Sequence, residues 1–193
     1  MFVFYYKHPF FFIKTGNVGI DVGTITEVLY NIRVRGRVEL VNVSKDFSVM
    51  LDYAHNGMAL KSLLTTLREY QPKRLVTLFG CGGNRSKDRR YEMGEISSNM
   101  SDFTVVTSDN PRFEEPGDII SDILIGIKRG KGEYVAIPDR REAIRYALQN
   151  AQPGDCIVVA GKGHEDYQEI RGVKYHMDDR EMIIEEAKAL QLT

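Results

Sequence analysis

Three short polar segments could bind a small charged molecule, because each combines glycine or proline with side chains that form strong hydrogen bonds. They are GCGGNR at residues 80–85, SDNPR at residues 108–112 and GKGHED at residues 161–166. In the first segment, Arg85 carries a planar guanidinium that suits a carboxylate. The backbone amides of this segment also lie close to a predicted helix start, where anions are favoured. We therefore expect an anionic group of a ligand there, although an ordinary strand-to-helix turn fits the same residues equally well.

The other two segments offer complementary groups. Asn110 and Arg112 flank Pro111, whose ring fixes the local backbone angle, so that an amide and a guanidinium can face one ligand. Gly161 and the second glycine of GKGHED permit close backbone approach, and Glu165 could bind an ammonium group. Taken singly, each segment is also explained as a polar turn. Their order and spacing together are more specific than any one of them.

A fourth polar group follows another predicted strand. In LDYAHNG, His55 stands beside Asp52 and Asn56, and a lone histidine in such a place is more often structural than catalytic. The four histidines show no recognisable metal-ligand spacing. The sequence contains neither the phosphate loop GxxxxGK followed by Ser or Thr nor the dinucleotide motif GxGxxG. We therefore predict neither a metal site nor catalytic residues in this chain.

The composition argues against several classes of protein. Of the 193 residues, 42% are apolar and 27% charged, and the formal net charge of −1 gives no basic surface for nucleic acid or an anionic membrane. The two cysteines lie far apart, which indicates no disulfide framework and fits a reducing cytoplasm. The aromatic-rich residues 1–17 contain apolar runs far shorter than the ~20 residues of a membrane span, and they lack signal-peptide features. We interpret them as an unmatched leader.

The elements around the polar segments must position them. From about residue 37, apolar runs without strict alternation, such as RLVTLFG and CIVVAG, alternate with stretches of helical periodicity. This pattern predicts an α/β fold with a Rossmann-like, mainly parallel sheet and helices on both faces. In such open sheets ligands bind at the carboxyl ends of the strands, which is where all three segments stand. Residues 18–31, with one amphipathic helical stretch, are predicted to be the last helix of a preceding domain.

The polar segments occur together with further motifs in a characteristic order. GRVE, DYAHN, FGCGGNR, TSDNPRFEEP, IPDRREAI and AGKGHEDYQ follow one another between residues 36 and 168. With these motifs the sequence resembles the Mur ligase family from about residue 18 to its end. Within that family it is most similar to the members that add meso-diaminopimelate, because DNPR and GKGHE are typical of their amino-acid pocket. The resemblance implies that residues 32–193 form the C-terminal amino-acid-binding domain and that residues 18–31 are a remnant of the central ATP-binding domain.

The resemblance also implies roles for individual residues. It implies that meso-diaminopimelate is bound by the arginine of GCGGNR and by the DNPR and GKGHE motifs, namely by Arg85, Asn110, Pro111, Arg112, Gly161 and Glu165. The two arginines would pair with the two carboxylates of this ligand, and Glu165 with its distal ammonium group. Family members that add lysine typically lack the arginine of DNPR, since lysine has no second carboxylate. Arg112 therefore carries the prediction of the substrate.

Contacts with ATP are implied at two further motifs. Arg37 of GRVE would reach the phosphates and Asp52 of DYAHN the ribose, with His55 and Asn56 in a supporting role. The family uses ATP and Mg²⁺ to act on UDP-MurNAc-dipeptide through two further domains whose motifs this sequence does not contain. We thus expect a cytoplasmic ligase fragment that is inactive alone and has no nucleic-acid or membrane partner. Two alternatives stay open: a stand-alone amino-acid-binding module, and the same domain of a folate-adding relative.

Overall fold

The computed structural model describes residues 35–192, so the leader predicted at residues 1–17 and the helix predicted at residues 18–31 lie outside the described residues. Six strands form the main sheet: β1 (Glu39–Val41), β2 (Ser48–Asp52), β3 (Arg74–Phe79), β4 (Phe103–Val106), β5 (Glu133–Ala136) and β6 (Asp155–Ala160). Their order is β1-β2-β6-β3-β4-β5. The edge strand β1 is antiparallel to β2, and the other neighbours are parallel. The predicted mainly parallel sheet is confirmed.

Helices cover both faces of this sheet. They are α1 (Gly57–Glu69), α2 (Lys87–Met100), α3 (Pro116–Ile127), α4 (Arg140–Gln149) and α5 (Asp179–Ala189). The first three pack on one face, around Phe79 and Ile123, and the last two on the opposite face, around Ile144 and Ile183. β6 is buried along its whole length, which explains why its sequence is apolar without alternation. Within residues 35–192, none of the helices is long and apolar enough to cross a membrane.

Two helix starts follow from capping residues in the sequence. Asp139 accepts a hydrogen bond from the Glu142 amide at 2.9 Å and so begins α4. Asp178 accepts hydrogen bonds from the amides of Arg180 and Glu181 and so begins α5. Each carboxylate satisfies amides that have no partner inside the helix. Each aspartate is followed three residues later by a glutamate, Glu142 or Glu181, which is the spacing of a capping box.

One element was not expected, an antiparallel hairpin of β7 (Tyr167–Ile170) and β8 (Val173–His176). Its turn residues, Arg171 and Gly172, both have a positive φ, 49° and 80°, as the type I′ turn of a two-residue hairpin requires. β8 is exposed throughout, so the hairpin lacks the apolar run that reveals the other strands. β7 lies against the DNPR segment, because a parallel bridge joins Ile170 to Arg112.

Candidate functional site

The polar segments meet at the carboxyl ends of four neighbouring strands. β2, β6, β3 and β4 are adjacent in the sheet and parallel to one another. They lead into Tyr53, Gly161, Gly80 and Thr107, respectively. Because β6 comes late in the sequence but lies between β2 and β3, the GKGHED segment is inserted between DYAHN and GCGGNR. This crossover brings together residues that are far apart in the chain.

Asn110 is buried and joins three of these segments. Its side-chain nitrogen donates a hydrogen bond to Glu165 Oε2 at 3.0 Å. Its side-chain oxygen accepts one from the Glu169 amide at 2.9 Å. Its carbonyl oxygen accepts one from the Gly83 amide at 2.8 Å. The Asn110 side chain is thus held in one orientation, in which it also orients Glu165.

Glu165 is half-buried and accepts hydrogen bonds at both carboxylate oxygens. The Tyr53 hydroxyl donates to Oε1 at 3.1 Å, and Asn110 and Lys162 donate to Oε2 at 3.0 and 3.4 Å. Burial tends to raise the pKa of this carboxyl, but the three donors outweigh burial and hold the pKa below its ordinary value of 4.5. Glu165 is therefore a carboxylate at neutral pH, as the binding of an ammonium group requires.

Lys162 is fully buried beside Glu165. Its Nζ lies 3.3 Å from Asn110 Oδ1, 3.4 Å from Glu165 Oε2 and 3.9 Å from Asp109 Oδ1. A buried ammonium group is tolerated only beside such acceptors. No role was predicted for Lys162 or Asp109 from the sequence. The local signal for Lys162 is its position between two glycines directly after a wholly buried strand.

Arg112 has a left-handed backbone conformation, with φ 54°, which is uncommon for a residue with a side chain. Its amide donates to the Glu169 carbonyl at 3.0 Å, and its carbonyl accepts from the Arg171 amide at 2.7 Å. Its guanidinium donates from Nε to Glu169 Oε2 at 3.1 Å and from Nη1 to the Gly83 carbonyl at 2.9 Å. A Cβ on Gly82 would lie 2.6 Å from Nη1, so this glycine makes room for the guanidinium.

Arg85 differs from the other predicted contacts because it is exposed. Across the part of the chain that the structure describes, its guanidinium forms no hydrogen bond or ion pair. The preceding residue is fixed: the Asn84 amide donates to Glu114, and its side-chain oxygen accepts from the Phe113 amide at 3.1 Å. The structure therefore brings Asn110, Arg112 and Glu165 together but leaves the Arg85 side chain apart from them.

Two glycines of the GKGHED segment adopt backbone conformations that other residues disfavour. Gly161 has φ 112°, its amide donates to the Asp52 carbonyl at 3.0 Å, and a Cβ there would lie 2.9 Å from the Asp109 carboxylate. Gly163 has φ 52°, and a Cβ there would lie 2.6 Å from the Gly36 carbonyl. The backbone before Arg37 and the backbone of GKGHED are thus in direct contact, which any side chain at Gly163 would disrupt.

The two residues expected to contact ATP lie near the Tyr53 ring and its strand. Arg37 is exposed, and its guanidinium carbon is 5.0 Å from the Tyr53 ring centroid. Asp52 is buried, and its carboxylate oxygens accept hydrogen bonds from the amides of Val38 at 2.9 Å and Ala54 at 2.7 Å. Asp52 therefore fixes the turn that carries Arg37.

The two supporting residues contribute to local structure. His55 is exposed, its Nδ1 lies 2.8 Å from the Tyr53 carbonyl oxygen, and its ring meets the Tyr53 ring edge to face at 4.7 Å. Asn56 is the N-cap of α1, because its side-chain oxygen accepts a hydrogen bond from the Ala59 amide at 2.9 Å. Among residues 35–192, no group of three or more His, Cys, Asp or Glu side chains could hold a metal ion. Residues 35–192 thus offer no side-chain cluster that would hold Mg²⁺ without further ligands, and we assign no chemical step to this ion.

Arg140 supports two of the segments from within the fold. It is fully buried and pairs with Asp179 through Nε at 2.7 Å and Nη2 at 2.8 Å. It also donates to the carbonyls of Ser108 and Ala160, both at 3.1 Å. These carbonyls immediately precede Asp109 and Gly161, so one guanidinium sets the start of both DNPR and GKGHED. This role of Arg140 was not predicted from the sequence.

Comparisons with known proteins show to which family the chain is similar. The family model described as Mur ligase, glutamate ligase domain, matches residues 36–163. Two curated UDP-N-acetylmuramoyl-L-alanyl-D-glutamate--2,6-diaminopimelate ligases are 46% identical over 168 residues (Caldanaerobacter subterraneus subsp. tengcongensis) and 48% identical over 169 residues (Syntrophomonas wolfei subsp. wolfei). These alignments cover 87% and 86% of this chain but 35% of each relative. The chain thus spans about a third of the length of these relatives.

Solved structures give the same result. A structure of a UDP-N-acetylmuramoyl-L-alanyl-D-glutamate--2,6-diaminopimelate ligase superimposes with a TM-score of 0.77 at 35% identity, covering 91% of this chain and 36% of the other. The Mycobacterium tuberculosis folylpolyglutamate synthase complexed with ADP shares the fold at 20% identity, with a TM-score of 0.58 over 74% of this chain and 33% of the other. The strand order, the family match and the identity to these ligases lead to one conclusion: the chain belongs to the Mur ligase family.

Proposed function

We propose that this chain supplies the amino-acid-binding part of an ATP-dependent ligase that adds meso-diaminopimelate to UDP-MurNAc-L-Ala-D-Glu in peptidoglycan synthesis. The observation that carries the proposal is the convergence of Asn110, Arg112 and Glu165 at adjacent strand ends. Relatives at 46% and 48% identity are named for this reaction, whereas the folylpolyglutamate synthase matches at 20%. Because the chain spans about a third of those relatives, the complete reaction and its cytoplasmic location are proposed for the longer protein.

The chemistry of the ligand matches the side chains at this site. Diaminopimelate has two carboxylates and two ammonium groups, one of which loses a proton before it reacts. Arg112 retains an Nη2 group with which to bind one carboxylate, and the exposed Arg85 is available to the other. Glu165 is a carboxylate and would bind the distal ammonium group. Asn110 and the carbonyl of Gly161 would complete the polar lining, and Pro111 would hold the turn between Asn110 and Arg112.

In the proposed reaction, ATP transfers its terminal phosphoryl group to the D-glutamate carboxylate, which gives an acyl phosphate and releases ADP. The free amine of diaminopimelate then attacks the acyl carbon, an amide bond forms and phosphate leaves. The residues of this chain would bind the amino acid and orient its amine, which raises the rate by positioning. Arg37 would reach the phosphates of ATP, and Asp52 would contact its ribose while holding the turn that carries Arg37.

The proposal is tested by Arg112→Ala in a complete ligase, obtained by replacing the matching segment of the Syntrophomonas wolfei relative with residues 35–193 of this chain. Losing charge-assisted hydrogen bonds of ~1.5–3 kcal/mol lowers kcat/KM for diaminopimelate by about 10- to 150-fold. The KM for ATP should change little. Free lysine as the substrate serves as the internal control, because it has no second carboxylate for Arg112 to bind.

An Arg112→Lys variant separates charge from geometry. A lysine retains the positive charge but not the planar fork, so diaminopimelate use should recover only in part. If Arg112→Ala reduced the use of diaminopimelate and lysine equally, Arg112 would support the loop without recognising the substrate. The assignment to diaminopimelate would then lose its physical basis.

A further inference from the structure

Glu169, on β7, contacts both halves of the DNPR segment. Its amide donates to Asn110 Oδ1 at 2.9 Å, and its carbonyl accepts from the Arg112 amide at 3.0 Å. Its carboxylate accepts from Arg112 Nε at 3.1 Å. The backbone contacts hold the segment against the hairpin. The side-chain contact acts on the guanidinium alone, so it can be removed separately.

The Glu169 carboxylate determines which edge of the guanidinium is available. An arginine has five N–H groups in a rigid plane. In Arg112 the Nε hydrogen is directed to Glu169 and one Nη1 hydrogen to the Gly83 carbonyl. Within residues 35–192, Nη2 has no hydrogen-bond partner. Of the five N–H hydrogens, one on Nη1 and both on Nη2 therefore remain, and a carboxylate can accept from two of them.

We propose that Glu169 is a specificity-determining positioning residue, which holds the guanidinium of Arg112 with its Nη1–Nη2 edge directed at a second carboxylate of the incoming amino acid. This inference rests on the proposed function and extends it to a residue outside the DNPR and GKGHE motifs. A pre-oriented guanidinium loses less side-chain entropy when the carboxylate binds. Glu169 therefore favours diaminopimelate over lysine without contacting either.

The inference is tested on the full 193-residue chain by NMR titration with meso-diaminopimelate and with lysine. Glu169→Ala should weaken diaminopimelate binding about tenfold and leave lysine binding unchanged, because only the first ligand uses the oriented fork. Glu169→Gln keeps an acceptor for Nε and should restore part of the affinity. The Arg112 Nε–H resonance of the free protein should move in both variants. Glu115→Ala is the matched control, because Glu115 is 73% exposed and pairs with Arg171 of the same hairpin at 3.5 Å.

Several outcomes would overturn the inference. An equal loss of affinity for both amino acids would make Glu169 a structural residue. Tighter diaminopimelate binding by the Glu169→Ala variant would show that the Glu169 carboxylate competes with the ligand carboxylate for Arg112. If the unaltered chain prefers diaminopimelate and Glu169→Ala keeps that preference, this inference fails while the proposed function stands. If the unaltered chain does not prefer diaminopimelate, both fail. Should Glu169→Ala not fold, the same comparisons are made with Glu169→Gln.

Discussion

Replacing Arg140 by methionine should destabilise the protein far more than the same change at its neighbour Arg141. The Arg140 side chain is 1% exposed and holds Asp179, whose side chain is 0% exposed, at 2.7 Å. The Arg141 side chain is 46% exposed and pairs with the exposed Glu185 at 2.7 Å. Two adjacent arginines of one helix thus form ion pairs of equal length and differ in burial. They make a matched pair of variants.

The expected cost follows from the groups that Arg140→Met leaves without a partner. Asp179 would lose its counterion inside the protein, and breaking a buried pair from one side costs about 3–5 kcal/mol. The carbonyls of Ser108 and Ala160 would also lose a donor, at about 1 kcal/mol each. Arg141→Met should cost about 0–1 kcal/mol, as exposed pairs do. The free energy of unfolding of a whole domain is about 5–15 kcal/mol, so only Arg140→Met should remove a large part of it.

Urea unfolding followed by circular dichroism measures both free energies of unfolding. The double variant Arg140→Met with Asp179→Leu should recover part of the loss, because replacing both partners of a buried pair by apolar side chains is often close to neutral. If Arg140→Met and Arg141→Met lowered the free energy of unfolding by amounts that agree within about 1 kcal/mol, burial would not determine the strength of these ion pairs. A double variant that is no more stable than Arg140→Met would lead to the same conclusion. In that case the arginine would contribute through packing and not through its charge.

Two further predictions concern titration and reactivity. The pKa of His176 lies above its ordinary 6.5 because its Nε2 forms a hydrogen bond with the Glu181 carboxylate at 2.6 Å. The His176–Glu181 pair therefore stabilises the folded chain fully below pH 6.5, and this stabilisation is lost as the pH rises through the pKa of His176 in the folded chain. An NMR titration should show this, and Glu181→Gln should return the midpoint towards 6.5; an unchanged midpoint would exclude the pair as the cause. Burial raises the pKa of the Cys81 thiol to about 12 and that of Cys156 to about 11, so both should react with a disulfide reagent at neutral pH only after unfolding. Reaction of the folded chain as fast as in urea would contradict their burial.

The sheet and the helix starts could be predicted from the sequence because their signals are local. A wholly buried strand such as β6 needs an apolar run, and its residues CIVVA form one. A helix start needs an acceptor for its free amides, which Asp139 and Asp178 provide within a few residues of themselves. The polar segments were found for the same reason, since each follows a recognisable strand. Local patterns therefore indicated where a ligand site would lie.

The contacts inside the site could not be predicted because they depend on strand order. Glu169 meets Asn110 across 59 residues of sequence, and only the insertion of β6 between β2 and β3 places their segments together. The β7–β8 hairpin has no buried face, so no apolar periodicity indicates it. From the sequence alone, Arg140 is expected to be an exposed polar residue in the first turn of a helix, but it is fully buried. The roles of Glu169 and Arg140 depend on contacts with residues that are distant in the sequence. Local patterns in a single sequence do not reveal such contacts.

The carboxyl groups of Asp109 and Glu165 lie beside the buried Lys162, and their pKa values suggest how this cation could assist ligand recognition. Burial raises the pKa of Asp109, and the nearby Arg140 and Lys162 only partly oppose it. At Glu165, burial also raises the pKa, but hydrogen bonds from Asn110 and the charge of Lys162 outweigh it. The pKa values of the two carboxyl groups are therefore shifted in opposite directions, and the charged form is favoured at Glu165. An ammonium group of a ligand needs that charge at the half-buried end of the site. In the proposed site, the fully buried Lys162 would therefore contribute to recognition by keeping Glu165 ionised and oriented.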